Sequence, residues 1–404
     1  MDRFNSARSL VSALAPTRPV TCLRPAAAAR ASSYFVRNFP GEILYAVKTN
    51  PTPEILDAVY DAGVRRFDVA SITEIEQITR RFPGARVSYM HPVKSRDAIG
   101  HAYFQYGVRD FALDSEAELE KILSATGNAD DLNLLIRLAV PNFHAELDLS
   151  SKFGIEPLAG ADLLFKSRSL ARRLGVCFHV GSQCMSPSAY GTAIHMVRDL
   201  IVSSGVTLDI IDVGGGFPSA YPNMAPPPLN VYLGEIASAL KTLPVSDVCE
   251  VWAEPGRALV AEAASTLVRV DLRRGSFLYI NDGTYGSLFD AGVPGFIFPA
   301  RAIRPKGSVP GQLMPFSFYG PTCDGLDFMK GPFMLPDDIG EGDYIEIGLT
   351  GAYGSTMRTH FNGFHSDEMA VLTDAPMLTM YRAGASTDWP SANRPLQQNA
   401  GKTS

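Results

Sequence analysis

Lys48 closes an apolar run, Tyr45-Ala46-Val47-Lys48, and is followed at once by Thr49-Asn50-Pro51. A lysine carried to the end of a buried strand is partly desolvated. That lowers its pKa and makes the amine a usable nucleophile for Schiff-base chemistry. Taken alone, a strand-end lysine is most often an ordinary surface residue. A second run, Asp212-Val213-Gly214-Gly215-Gly216-Phe217-Pro218, lets backbone N–H groups approach an anion closely, as a phosphate cradle does. It is neither GxGxxG nor a P-loop, which argues against a dinucleotide or a nucleoside triphosphate, and alone it serves equally as a structural turn. In Glu254-Pro255-Gly256-Arg257, the arginine can offer a planar fork to the same phosphate, and the glutamate is suited to stabilise a protonated ring nitrogen. Phe178-His179-Val180-Gly181-Ser182 adds an imidazole and a hydroxyl. His179 lies near Cys177 and Cys184, but the spacing matches no metal site and no HExxH or CxxC accompanies it, so no metal is expected. Amine, cradle and ring-facing carboxylate together specify pyridoxal phosphate better than any one of them does.

These groups need a frame that brings strand ends together. Between Ile43 and Glu254, short β-rich runs alternate with amphipathic segments, the pattern of βα units on a parallel sheet. The runs are 43–48, 66–70, 86–91, 110–114, 133–138, 176–180, 208–213 and 250–254, with helical spacing over 53–62, 72–82, 98–106, 115–126 and 189–204. Eight repeats predict a TIM-type (β/α)8 barrel, whose catalytic groups stand at the C-terminal strand ends. Those ends carry Lys48, Asp68, His91, Asp114, Arg137, His179, the glycine run, Glu254 and Arg257. Such polar groups converging on one mouth would cost several kcal/mol unless paired or engaged by a ligand. His91 and Asp114, taken singly, read better as helix caps or salt-bridge partners. After Arg257 the rhythm changes to strand-like segments, over 265–272, 276–281, 301–303, 312–319, 343–349 and 369–372, which predict a C-terminal β-sandwich-like domain. The expected division is a barrel over 20–262, a β domain over 263–382 joined by residues 1–19, and a flexible tail over 383–404.

At 404 residues the chain is long enough for two or three folding units of roughly 150 residues each. Its net charge of −6 argues against a broad grip on nucleic acid or anionic membrane, and 46% hydrophobic with 19% charged residues excludes disorder over most of its length. No apolar run approaches the roughly 18 residues of a membrane span. Five cysteines without a paired spacing point to a reducing, cytoplasmic setting. Between Arg3 and Gly41 there is no acidic residue, as in organellar transit peptides, but the strand-like stretch at 19–23 and the helical one at 26–35 read as part of the fold.

The sequence resembles the alanine-racemase-like fold type of pyridoxal-phosphate enzymes, and within it the ornithine/lysine decarboxylases. The resemblance rests on ordered blocks along nearly the whole chain. They are Tyr45 to Lys48, Phe67 to Ser71 with Glu74, Leu149 to Gly154, Phe178 to Ser182, Asp212 to Pro218 and Glu254 to Arg257. Beyond the barrel they continue as Asn281 to Gly286, Gly320 to Asp327, Gly351 to Gly354 and Phe361 to Phe364. The resemblance implies that Lys48 holds the cofactor covalently, that His179 stacks on its ring and that Glu254 pairs with the ring nitrogen. It implies that Ser182, Gly215, Gly216, Arg257 and Tyr353 hold the phosphate, with Asp68 and Arg137 lining the cofactor site. It further implies a head-to-tail homodimer in which Cys323 and Asp324 of one subunit complete the site of the other, with Lys152 and Asp327 paired across the interface.

A carboxylate at position 254 favours decarboxylation, because a protonated ring accepts electrons from Cα far better than a neutral one. Racemases of this fold carry Arg there. Cys323 resembles the residue that reprotonates Cα, and Asp324 the one that binds the distal amine of a basic amino acid; Tyr353 and Phe361 join the substrate site by the same resemblance. One departure stands out. Many ornithine decarboxylases carry a Tyr-Asp pair several residues after the Asn-Asp-Gly-x-Tyr-Gly block, whereas here only Asp290 follows, closer to Gly286 and without the Tyr. Asp290 is the candidate for a second grip on the distal amine. The expected activity is conversion of L-ornithine to putrescine, with L-lysine as a second substrate, in polyamine synthesis. The alternatives are a decarboxylase for diaminopimelate or arginine, and an inactive regulatory homologue.

Overall fold

Eight parallel strands close into a barrel in the computed structural model, which describes residues 1–147, 152–245, 249–308 and 310–381. They are Glu42–Ala46, Arg66–Val69, Arg86–Tyr89, Asp110–Leu113, Asn133–Arg137, Arg173–Cys177, Ile210–Asp212 and Glu250–Ala253, paired in chain order with the last returning to the first. Leu44, Ala112, Leu135, Cys177, Ile210 and Trp252 form one buried cluster inside the barrel, while Tyr45, Phe67, Phe111, Leu134 and Ile136 belong to the layer beneath the helices. Strands buried on both faces leave no polar alternation, which is why these runs read as continuously apolar.

The helices that return the chain include Pro53–Asp61, Ile72–Arg81, Arg96–Tyr106, Glu116–Ala125, Pro157–Arg168, Ser188–Ser204 and Leu229–Leu240. Ser71, Ser95 and Ser115 each accept a hydrogen bond from the amide three residues on, satisfying one of the free donors at a helix start. Strands stop one to three residues short of the expected ends, because the chain leaves the ladder before Lys48, His179 and Glu254. Lys48 itself lies in the 3₁₀ turn Val47–Thr49. The sixth strand starts at Arg173, earlier than its sequence pattern predicts. Gly175 weakens that pattern, yet a Cβ there would come within 2.8 Å of Ile210, so only glycine lets the neighbouring strand pair.

Of the remaining strands, Ala145–Leu147 and Ser182–Cys184 pair with each other and the others build one nine-stranded sheet. Ala264–Arg274 is its centre, pairing with Val20–Leu23, Phe277–Ile280 and Tyr344–Ile347. Val20–Leu23 therefore belongs to the sheet, not to the barrel in which the expected boundary at residue 20 would put it. Its own periodicity could not show this, since its partners lie more than 240 residues away in the chain. Phe328–Pro336 is a strand that sequence patterning missed, because Gly331 and Pro332 interrupt it. Arg24, where the chain passes from sheet to barrel, is buried and donates to Glu346 at 2.7 Å, Ser265 at 2.8 Å and Asp374 at 3.0 Å, an arrangement that fixes the two parts against each other. Leu149 to Ser151 and the expected tail over 383–404 lie outside the described residues.

Candidate active site

Ala46, Lys48, His179, Ser182, Gly216, Phe217, Glu254, Gly256, Arg257 and Tyr353 surround one cavity of about 320 Å³ at the C-terminal end of the barrel. A larger cleft of about 790 Å³ at the opposite end is lined by residues including Glu42, Arg65, Arg66 and Arg86, and holds none of these groups.

Lys48 Nζ donates to Asp68 Oδ2 at 2.7 Å; the lysine keeps 45% of its side-chain surface open while Asp68 is buried. This corrects the expectation of a lowered lysine pKa. Burial does pull it down, but Asp68, Tyr353 and Glu254 outweigh burial and raise it. The amine is held protonated, ready to be neutralised only when its counter-charge is shared with something else.

His179 takes the opposite state. Burial lowers its pKa well below the ordinary value, helped by Arg137 and Lys48, so the ring is neutral. Its Nδ1 accepts the Gly181 N–H at 3.0 Å, which leaves the proton on Nε2. Arg137 itself packs over Phe153, 5.3 Å from the ring centre.

Glu254 is raised well above the carboxylate range, first by burial, then by the charges of Asp212 and Asp68. Asp212, fully buried, is pushed up to about 7, again mainly by burial. Asp212 Oδ1 accepts from Gly214 N at 2.8 Å, and Glu254 N donates to Gly214 O at 2.8 Å, so two acids flank the same turn. At neutral pH they hold a proton between them. Asp212 stood inside a motif read only for its glycines, and its acid role was missed there.

The glycine turn is built for close approach. Gly214 and Gly216 have φ of 68° and 100°, and a Cβ at Gly216 would lie 2.5 Å from Gly181 O. A side chain at Gly215 would meet Glu254 O at 2.7 Å and His179 Nε2 at 3.0 Å. Tyr190 OH pins Gly215 O at 2.9 Å. Beside the turn, Arg257 directs Nη2 toward Ser182 Oγ at 3.5 Å, its buried Nε has no hydrogen-bond acceptor, and Tyr353 packs 5.1 Å from the guanidinium. An amine, a cradle that only glycine can form, an arginine with uncommitted donors and a protonated acid on one cavity wall suit the aldehyde, phosphate and ring nitrogen of pyridoxal phosphate.

Three expected residues stand elsewhere. Cys323 and Phe361 are exposed and Asp324 is half-buried. Tyr285 OH and Leu326 N donate to the Asp324 carboxylate, Asn362 Oδ1 accepts from Cys323 N at 3.1 Å, and Phe361 packs 5.0 Å from the Tyr285 ring. Tyr285 was quoted in a motif without a role; holding Asp324 is the one the structure gives it. One expectation is corrected. Asp290 offers no grip on a substrate amine: it is buried and pairs with Arg257 Nη1 at 2.8 Å. Asp327, expected to pair with Lys152 across a subunit boundary, is buried in the single chain, and its oxygens accept from Thr284 N, Thr322 N and Thr322 Oγ1 at 2.8, 3.0 and 2.7 Å, tying the 320–327 loop to Thr284. Lys152 is exposed beside Phe153. Among the described residues, no cluster could hold a metal ion and no helix is long and apolar enough to cross a membrane.

Comparison with known proteins follows the same lines. Residues 26–261 match the family model described as pyridoxal-dependent decarboxylase, pyridoxal binding domain. The chain is 34% identical over 349 residues to the lysine/ornithine decarboxylase of Selenomonas ruminantium, covering 83% of this chain and 84% of that protein. It is 31% identical over 346 residues to antizyme inhibitor 2 of Xenopus laevis, covering 79% and 73% respectively. The crystal structure of a Vibrio vulnificus lysine/ornithine decarboxylase complexed with putrescine superposes with a TM-score of 0.77 at 29% identity, over 92% of this chain and 99% of that one.

Proposed function

This chain belongs to the pyridoxal-phosphate-dependent ornithine/lysine decarboxylase family, and on that premise we propose that it converts L-ornithine to putrescine, with L-lysine as second substrate. The observation that carries the proposal is Glu254, an acid on the wall of the cavity that Lys48 enters, its pKa raised by burial and by Asp212 and Asp68. When bound, pyridoxal phosphate supplies the electron sink that accepts the pair left on Cα as carbon dioxide departs.

The protein's own groups divide the remaining work. Lys48 holds the cofactor, and Asp68 governs when its Nζ loses a proton. Glu254 keeps a proton at the ring nitrogen, with Asp212 behind it. His179, neutral and flat, packs against the ring without competing for that proton. Gly215, Gly216, Ser182, Arg257 and Tyr353 hold the phosphate end, and Arg137 adds positive charge to the site.

Cys323 and Asp324 act across a subunit boundary. In a single chain Cys323 is exposed and Asp324 half-buried, on a loop whose Leu326 is 74% exposed, beside the exposed Phe361 and Phe364. A head-to-tail homodimer covers this apolar surface and brings Cys323 to Cα as proton donor and Asp324 to the distal amine of the substrate. A substrate without that amine leaves the carboxylate unpaired. Lys152 contributes to the same interface.

Carbon dioxide release from ornithine, lysine, arginine and diaminopimelate, measured side by side on cofactor-loaded protein, tests the assignment. Ornithine is expected to give the highest kcat/KM and lysine the second; preference for arginine or diaminopimelate would overturn it. The similarity to antizyme inhibitor 2 favours one other reading, a regulatory protein without activity. No release from any of the four substrates, with cofactor bound, would establish that reading instead.

A further inference from the structure

Asp290 was expected near the substrate, and its actual contacts point to another task. Its Oδ2 lies 2.8 Å from Arg257 Nη1, and the side chains are 6% and 3% exposed, so this ion pair is sealed from water. Tyr221 OH, fully buried, lies 2.9 Å from the same Nη1. Phe296 and Tyr353 pack near the guanidinium, each 5.1 Å from Cζ. All of the close protein contacts thus fall on Nη1. Nη2 meets only Ser182 Oγ, at 3.5 Å, and the buried Nε has no acceptor. A buried arginine with one nitrogen anchored and two donors spare is a preorganised anion receptor.

We propose that Asp290, assisted by Tyr221, is a positioning residue of the phosphate site: it anchors Arg257 by Nη1 so that Nη2 and Nε stay directed at the cofactor phosphate. This inference rests on pyridoxal phosphate being the cofactor. Asp290 also explains why the chain has no second acid for the distal amine after the Asn281 to Gly286 block. The acid that follows the block is spent on Arg257, which leaves Asp324 as the substrate's carboxylate.

The test compares two ligands that differ only in the phosphate. Cofactor-free wild type, Asp290→Ala and Tyr221→Phe are titrated with pyridoxal phosphate and with pyridoxal, following absorbance and intrinsic fluorescence. Asp290→Ala is expected to weaken pyridoxal phosphate by about tenfold, the scale of a hydrogen bond to a charged group, and to leave pyridoxal unchanged. Tyr221→Phe is expected to act in the same direction by about threefold. Equal weakening of both ligands would mean general damage to the site and would overturn the inference. Tighter pyridoxal phosphate binding would do so too, because Asp290 would then act only by repelling the phosphate. If Asp290→Ala does not fold, Tyr221→Phe decides alone: no selective loss overturns the proposal. A wild type that binds neither ligand would sink the cofactor assignment itself, an outcome distinct from all of these.

Discussion

Lys48 Nζ and Asp68 Oδ2 stand 2.7 Å apart, and this contact favours the protonated amine against the lowering effect of burial. Replacing Asp68 by Asn removes the largest of the charges that raise it, so the lysine pKa falls. Cofactor capture, followed by absorbance after mixing, should then reach half its maximal rate at a lower pH than in wild type. Lys48→Ala should abolish turnover and leave no cofactor trapped by borohydride. Residual decarboxylation at the wild-type rate would remove Lys48 from its assigned role.

Glu254→Gln keeps the shape of the side chain and removes the acid. The ring nitrogen then loses its proton partner, and kcat should fall by about 10²-fold or more, the scale seen when one preorganised electrostatic partner is deleted. Cofactor affinity should change much less. Rapid-quench measurement of carbon dioxide release in a single turnover separates the two effects.

Asp212 makes the stability of the cofactor-free protein depend on pH. Its folded-state pKa of about 7 lies above the ordinary aspartate value of 3.8, so between these values the folded chain binds more protons than the unfolded one. The contribution is fully present below the lower value and is lost as pH rises through the upper one. Denaturation of the cofactor-free protein should show higher stability at pH 5 than at pH 8. Asp212→Asn should flatten that difference.

Asp324→Ala should raise KM for ornithine by about 10- to 100-fold, the range for losing a hydrogen bond to a charged group, with a smaller effect on cofactor affinity. Cys323→Ala should slow protonation of Cα; amine product from a reaction in heavy water would carry an altered deuterium pattern.

Lys48→Ala is expected to form no amine and Cys323→Ala to form it only slowly, yet a mixture should recover activity. If the sites are shared, random reassociation gives half mixed dimers, each with one intact site, so about a quarter of wild-type activity should return. No recovery after reassociation would place both residues in a site made by one chain.

Much of this architecture was legible in the chain because its signals are local. A strand buried on both faces is an apolar run wherever it occurs, a serine before a helix caps it, and Gly214 to Gly216 announce a close backbone approach. Boundaries were less legible. Ladder pairing, which ends before Lys48 and His179, depends on the neighbouring strand, and Gly175 hid the start of the sixth strand although it is required there for packing.

The amino-acid sequence determined the kind of chemistry and the frame, since amine, cradle, acid and barrel repeats are each written in a few consecutive residues. The tertiary structure decided which charges meet. Asp290 reaches Arg257 across 33 positions and Asp68 reaches Lys48 across 20, and Asp327 turns into its own loop rather than outward. Protonation states and ion pairs depend on distance and burial in space, and no local pattern carries either quantity.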